Sequence, residues 1–189
     1  MGNTHDRIMA ALVRDPTRLT WVLVQAYPEH FRDAERVTIY GIFPEHPLPS
    51  RGQPVGFIDI LTFVEVIPKP CSVGEDAETP TMGNPLAASA VTPYPRRFVF
   101  AIEIKPGSFS LGEVLRQVKT YRCLLERPGR GERVEGWRKR VLWIVCTPYN
   151  RYADILEQEG ICLAAPDCRP PGVPPVITTG QLDWLPIGM

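Results

Sequence analysis

The chain has 189 residues, 44% apolar and 22% charged, an ordinary globular composition that suffices for one domain with its own core. Its 21 basic and 21 acidic side chains cancel, which excludes a protein that holds nucleic acid by bulk charge alone. Three histidines are too few for a histidine-rich metal site, and no 18-residue apolar run offers a membrane span.

In chain order, residues 5–30 carry Ile8, Leu12, Leu19, Val22, Leu23 and Ala26 at helical spacing, broken by Asp15-Pro16-Thr17. This predicts a short helix and a second one ending near Pro28. The β-branched and aromatic run 36–43 predicts a strand, 44–54 a turn region, and 55–67 a second strand antiparallel to the first. Residues 68–96 lose all periodicity and hold six prolines, which predicts a long Pro-rich insertion without regular structure. A third strand follows over 97–105.

The segment 110–126 predicts a helix with a legible start, because Ser110 and Glu113 form an S-x-x-E capping box. Val114, Val118, Tyr121 and Leu125 fall on one face of it. Residues 127–140 read as an exposed basic loop, 141–147 as a doubly buried strand, and 151–160 as a helix closed by Gly160. A short strand starts at Ile161. The domain is placed at 1–165, and 166–189 is expected to be an extended Pro-rich tail, with its last apolar residues packed on the body. The resulting order predicts an α/β fold with a central mixed sheet flanked by helices.

Five cysteines, Cys71, Cys123, Cys146, Cys162 and Cys168, are odd in number and form no C-x-x-C pair. They read as reduced thiols of a cytoplasmic protein. An iron–sulfur cluster lacks its usual closely spaced triplet. No secretory signal is visible at the N-terminus, so a soluble, intracellular chain is expected.

Two strands carry charges that their apolar character does not explain. Alternation places Phe98, Phe100, Ile102 and Ile104 on one face of the third strand, and Val99, Ala101, Glu103 and Lys105 on the other. Charged side chains are seldom buried without partners, so Glu103 and Lys105 either reach water at the strand end or serve a site. In the second strand Asp59 stands between Ile58 and Ile60, against strand propensity. Two carboxylates brought together repel, and a divalent cation such as Mg²⁺ relieves that repulsion. A lysine beside them can act on water and offset phosphate charge, which is the chemistry of phosphodiester hydrolysis. Glu65 shares the face of Asp59 but lies about 20 Å along the strand, and it reads as a strand-end surface residue. His30 and His46 read as surface residues beside loops.

Asp59, then Glu103-Ile104-Lys105, then Gln117 and Tyr121 as Q-x-x-x-Y on the following helix, resemble the PD-(D/E)xK nuclease superfamily. The resemblance runs over residues 5–163, and it is nearest to the branch of RecB-type, Cas4-type and lambda-exonuclease-type nucleases. It implies a restriction-endonuclease-like αβββαβ core and a Mg²⁺- or Mn²⁺-dependent nuclease, a hydrolase acting on DNA, with RNA as the other polymer open to it. It implies Asp59 and Glu103 as metal ligands, the Ile104 carbonyl as a backbone ligand, and Lys105 as the catalytic lysine. Gln117 and Tyr121 would position the site or the DNA backbone. The family's helix-one glutamate has Glu29 as its nearest candidate.

Gln117 and Tyr121 are four residues apart and share a helical face. Gln117 lies about 10 Å along the axis from the capped start, within reach of the strand ends. Six basic residues against two acidic ones make 127–140 positive. Arg116, Lys119 and Arg122 on the motif helix, with Arg130 and Arg133 in the loop, are therefore candidates for phosphate contact. The neutral chain points to a homodimer or a protein partner for specificity. A second reading is a nuclease-fold subunit that serves a larger nucleoprotein assembly with little or no catalysis. A small-molecule enzyme lacks any cofactor motif here, since neither G-x-G-x-x-G nor a P-loop is present.

Overall fold

The computed structural model describes residues 3–50, 53–70, 94–125, 141–169 and 176–180. Three helices open the chain: α1 (Thr4–Arg14), α2 (Pro16–Ala26) and the single turn α3 (Pro28–Phe31). The strands β1 (Ala34–Ser50), β2 (Gln53–Pro68) and β3 (Arg96–Ile104) follow, then α4 (Leu111–Leu125), β4 (Val141–Cys146), α5 (Ala153–Gln158), β5 (Ile161–Ala164) and β6 (Ile177–Thr179). The sheet order is β5-β4-β3-β2-β1-β6. β1, β2 and β3 pair antiparallel, whereas β3, β4 and β5, and also β1 with β6, pair parallel. The fold is thus α/β, with a six-stranded mixed sheet flanked by helices.

The break between the first two helices has a local cause. Asp15 ends α1 and caps α2, its Oδ1 accepting from Thr17 N at 3.0 Å and Arg18 N at 3.2 Å. Pro16 stands in the first turn of α2, where it loses no helical bond. The alternation expected in β3 is realised. Phe98, Phe100, Ile102 and Ile104 join Leu12, Leu19 and Leu23 of α1 and α2 in one core layer. Val99 and Ala101 join Trp143 of β4 and Val114, Val118 and Tyr121 of α4 in the other. Tyr27 pins the first layer to the sheet by donating from its buried hydroxyl to the Trp143 carbonyl at 3.0 Å. On the second layer, α4 starts where the sequence indicates: Ser110 stands at the cap position, and its carbonyl accepts from Val114 N at 3.2 Å.

Three expectations are corrected. Residues 44–50 and 53–54 are strand rather than turn: β1 and β2 form one long hairpin whose register reaches Pro44↔Ile60, Pro47↔Phe57 and Pro49↔Pro54. Among the described residues β6 pairs with β1 at Val37–Ile39, which leaves Pro44, Pro47 and Pro49 on a strand paired on one side by β2, the edge setting in which prolines are found. Within the tail, β6 joins the sheet beside β1, where the Thr38 and Thr178 hydroxyls meet at 2.9 Å. Glu65 is buried instead of sitting at the surface, because Arg97 Nε (2.8 Å) and the Tyr40 hydroxyl (3.1 Å) satisfy its two oxygens. His30 is half-buried, stacked between Tyr27 and Phe98. The heart of the insertion at 71–93, the basic loop 127–140 and the tail segments 170–175 and 181–189 lie outside the described residues. Among the described residues no helix is long and apolar enough to cross a membrane.

The hairpin carries one strained residue. Glu45 has φ +49°, in the left-handed region, and lies between the pairs Pro44↔Ile60 and His46↔Ile58, at the level of Asp59. A side chain in that region costs about 1–2 kcal/mol, part of which glycine recovers. Glu45→Gly is therefore expected to raise the unfolding free energy by about 0.5–1 kcal/mol, read from a urea transition. A midpoint unchanged or lowered would show that the bend carries no strain.

Candidate active site

The candidate residues meet at the C-terminal end of β3. The register that pairs Ile60 with Ile102 brings Asp59 to the level of Glu103 on the neighbouring strand. Asp59 Oδ2 accepts from the Ile104 backbone N–H at 2.7 Å, which fixes the carboxylate against the strand that carries Glu103. Asp59 thus fills the place of a ladder partner with its side chain, which explains an acid amid the apolar run of β2.

Glu103 lies on the α4 side of the sheet and is 1% exposed. Gln117 reaches it from α4: its Nε2 donates to Glu103 Oε2 at 2.8 Å and to the Tyr121 hydroxyl at 3.2 Å. Its other amide atom, Oε1, accepts from Lys105 Nζ at 3.3 Å. Lys105 also stands 3.7 Å from Glu103 Oε2. A glutamine suits this place because its one amide offers both a donor to the carboxylate and an acceptor to the ammonium. The pair Glu103–Lys105, which alternation leaves on one face, is thus bridged by a residue that helical spacing brings from α4.

The electrostatics of Glu103 are unfavourable as they stand. Burial pushes its carboxyl pKa up to about 8, and the charge of Asp59 adds to the rise against the pull of Lys105 and Gln117. Its Oε1 atom is buried and has no hydrogen-bond partner. A buried, half-satisfied carboxylate beside a second carboxylate calls for a cation. The donors on hand are oxygens, which suit Mg²⁺ or Mn²⁺. Among the described residues no group of three or more His, Cys, Asp or Glu side chains is disposed to hold a metal. An ion here would therefore rest on two carboxylates and the Ile104 carbonyl, with water completing its shell, as Mg²⁺ commonly does.

His5, which the sequence reading left aside, belongs to this site. It begins α1, and its Nε2 stands 3.1 Å from Asp59 Oδ2. Burial lowers its pKa, but the hydrogen bonds to Asp59 and Asp6 outweigh that, so the imidazole is raised above its ordinary value. A signal was present in the sequence: His5, Met9 and Leu12 follow i, i+4, i+7, so His5 stands on the stripe that faces the sheet. Glu29, by contrast, is not brought to the site. It opens α3, is exposed, pairs with His30 at 3.8 Å, and its charge is felt at Cys162 on β5.

The cations of α4 divide. Arg122 donates to the carbonyls of Glu159 and Gly160, both at 2.8 Å, and so caps the C-terminal end of α5. Lys119 lies 3.1 Å from the Glu159 carboxylate. Both therefore tie α4 to α5 instead of facing the strand ends, as their angular distance from Gln117 on the helix dictates. Arg116 is exposed next to Gln117. Arg130 and Arg133 lie outside the described residues. The thiols of Cys123, Cys146, Cys162 and Cys168 are free.

Comparison with known proteins brings no match: no family model, no curated protein and no solved structure is significantly similar to this chain.

The distal arm of the β1–β2 hairpin packs on α4. Leu48 and Ile58 pack in the α4 layer, and Gly56 lies against the Tyr121 ring. A Cβ at Gly56 would stand 2.7 Å from the Tyr121 hydroxyl oxygen and 2.8 Å from Cε1. The ring cannot yield easily, since it also packs on Trp143 with centroids 6.3 Å apart. Gly56→Ala is expected to cost about 1–3 kcal/mol of stability. A denaturant midpoint equal to that of the parent would show that the ring moves freely.

Proposed function

We propose that this chain is a divalent-metal-dependent nuclease with a restriction-endonuclease-like core, hydrolysing phosphodiester bonds of DNA. The observation that carries the reading is the buried Glu103 carboxylate, with Oε1 unpartnered, beside Asp59 and bridged by Gln117 to Lys105. The order of helices, three antiparallel strands, α4 and the parallel β4 supports the same core.

In this reading Asp59, Glu103 and the Ile104 carbonyl would hold the ion. A bound Mg²⁺ or Mn²⁺ would supply a nucleophile at neutral pH and offset phosphate charge. The residues do the rest. Lys105 sets a positive charge where a phosphate would enter and orients the attacking water. Gln117 fixes Glu103 and Lys105 relative to each other, so that neither side chain has to be ordered during the reaction. Tyr121 buttresses the Gln117 amide, and His5 steadies Asp59 at Oδ2, the same oxygen that accepts from the Ile104 N–H.

The test is a cleavage panel on labelled linear, nicked, single-stranded and branched DNA with Mg²⁺ or Mn²⁺, and with EDTA as control. Metal-dependent cleavage of at least one substrate is expected. Cleavage that persists in EDTA, or none on any substrate, overturns the reading. An inactive chain that still binds DNA or a protein partner points to a structural subunit of a nucleoprotein assembly. The zero net charge and the commitment of Lys119 and Arg122 to α5 favour that second reading.

A further inference from the structure

Glu103 and Lys105 are reached from α4 by a single side chain, Gln117. A glutamine has much rotamer freedom to lose on being fixed, so its position needs an anchor of its own. Among the described residues that anchor is the Tyr121 hydroxyl, 3.2 Å from Gln117 Nε2. The other two contacts of the amide are those the reaction would use. Glu103 would turn to the ion and Lys105 to phosphate, and both would then hold Gln117 less firmly. The Tyr121 hydroxyl is the contact that the chemistry leaves in place.

What holds Tyr121 is the main chain of β2. A Cβ built on Gly56 would meet three atoms of that side chain, the hydroxyl oxygen at 2.7 Å, Cε1 at 2.8 Å and Cζ at 3.0 Å. These belong to the hydroxyl end of the ring, so the backbone of the hairpin arm closes on the very group that anchors Gln117. Burial raises the pKa of the hydroxyl against the pull of the Gln117 amide and of the Phe57 backbone N–H, which places that N–H beside the same oxygen. Trp143 packs on the ring as well. A chain of contacts thus runs from Gly56 through Tyr121 and Gln117 to Glu103 and Lys105, and only a residue without a Cβ lets its first link close.

We infer that Gly56 is a positioning residue for the reaction: by admitting the Tyr121 hydroxyl against the β2 main chain, it fixes the Gln117 amide and, through it, the spacing of Glu103 and Lys105. This rests on the nuclease reading and makes the hairpin arm part of its apparatus, although Gly56 touches no reacting atom. A glycine that served packing alone would affect stability and leave the chemistry of the folded chain as it is.

The test is a double-mutant cycle in the full chain with Mg²⁺, on whichever DNA of the panel the parent cleaves. Gly56→Ala, Tyr121→Phe and the pair are compared with Val22→Ala, a buried change in the opposite core layer. All are assayed well below their unfolding transitions. Gly56→Ala should lower kcat about 10- to 100-fold, because a misplacement of about 1 Å made away from the chemistry costs up to about 100-fold. Val22→Ala should match the parent. The pair should lose no more than the worse single variant, since without the hydroxyl the ring no longer steers Gln117. The Gln117 side-chain amide gives a reading that needs no catalysis. Its NMR signals, assigned by their absence in Gln117→Ala, should exchange slowly in the parent and in Val22→Ala, and faster in Gly56→Ala and Tyr121→Phe. Parent-like kcat in Gly56→Ala, losses that multiply in the pair, or amide exchange unchanged by Gly56→Ala overturns the positioning role. Should Gly56→Ala fold poorly, Tyr121→Phe decides, and parent-like kcat and exchange there overturn it. A parent that cleaves no DNA overturns the nuclease reading, and the amide exchange then decides the contact at Gly56 alone.

Discussion

Glu103→Gln is expected to abolish metal-dependent cleavage while the fold persists. The substitution keeps volume and retains an oxygen that can accept from Gln117 Nε2, now 2.8 Å from Glu103 Oε2. It removes the charge that would hold the ion. The loss should be about 10²–10⁴-fold, the range for removing one group that stabilises charge or moves a proton at a reacting centre. Lys105→Ala should lose activity to a similar degree but keep most metal affinity, because its amine acts on water and phosphate. Gln117→Ala should lose less, since it frees Glu103 and Lys105 without removing either. Calorimetric metal titration and the cleavage panel on these proteins separate the roles. A Glu103→Gln protein as active as the parent would sink the site.

The second large effect is on stability, in the absence of metal. In the unfolded chain the Glu103 carboxyl ionises near its ordinary value, whereas in the folded chain burial and Asp59 hold the proton on until about pH 8. Below about pH 4.5 both states are protonated and the group costs nothing. As pH rises from there the unfolded state loses its proton first, so stability falls, and the fall ends once the folded state has ionised as well. The whole loss is about 3–5 kcal/mol, or roughly 10 °C in melting temperature for a chain of this size. In EDTA, melting temperature should therefore decline from pH 5 to pH 9, and Glu103→Gln should flatten the decline. Added Mg²⁺ should restore the parent at high pH by binding the folded state, and it should leave the variant unmoved. Parallel slopes for the two proteins in EDTA would show that the buried carboxylate is not the cause.

Much of this was legible where local pattern and tertiary role agree. β3, α4 and β4 follow from alternation, a capped apolar stripe and a continuous apolar run, and Gln117 and Tyr121 meet because four residues make a turn. What escaped depends on partners distant in sequence. Pro44, Pro47 and Pro49 read as a turn, because nothing local says that this part of β1 is an edge. Glu65 read as exposed because Arg97, which satisfies it, arrives 32 residues later. His5 gave only its position on a stripe, and its meaning comes from Asp59 across the fold. Lys119 and Arg122 looked like phosphate ligands until α5 supplied a nearer demand.

The pairing of β6 with β1 has a consequence for how the chain comes off the ribosome. Thr38 and Thr178 are 140 positions apart, and β6 follows every other described element in synthesis. Until it arrives, the Val37 N–H and the Ile39 carbonyl, later bonded to Val176 and Gly180, face outward on a nascent sheet. An open strand of that kind recruits other nascent chains. The three prolines further along the same strand act as gatekeepers that keep the vulnerable stretch short. Closing so long a loop makes the β1–β6 seam slow to form, and premature release before residue 177 should yield aggregates, not merely a less stable monomer.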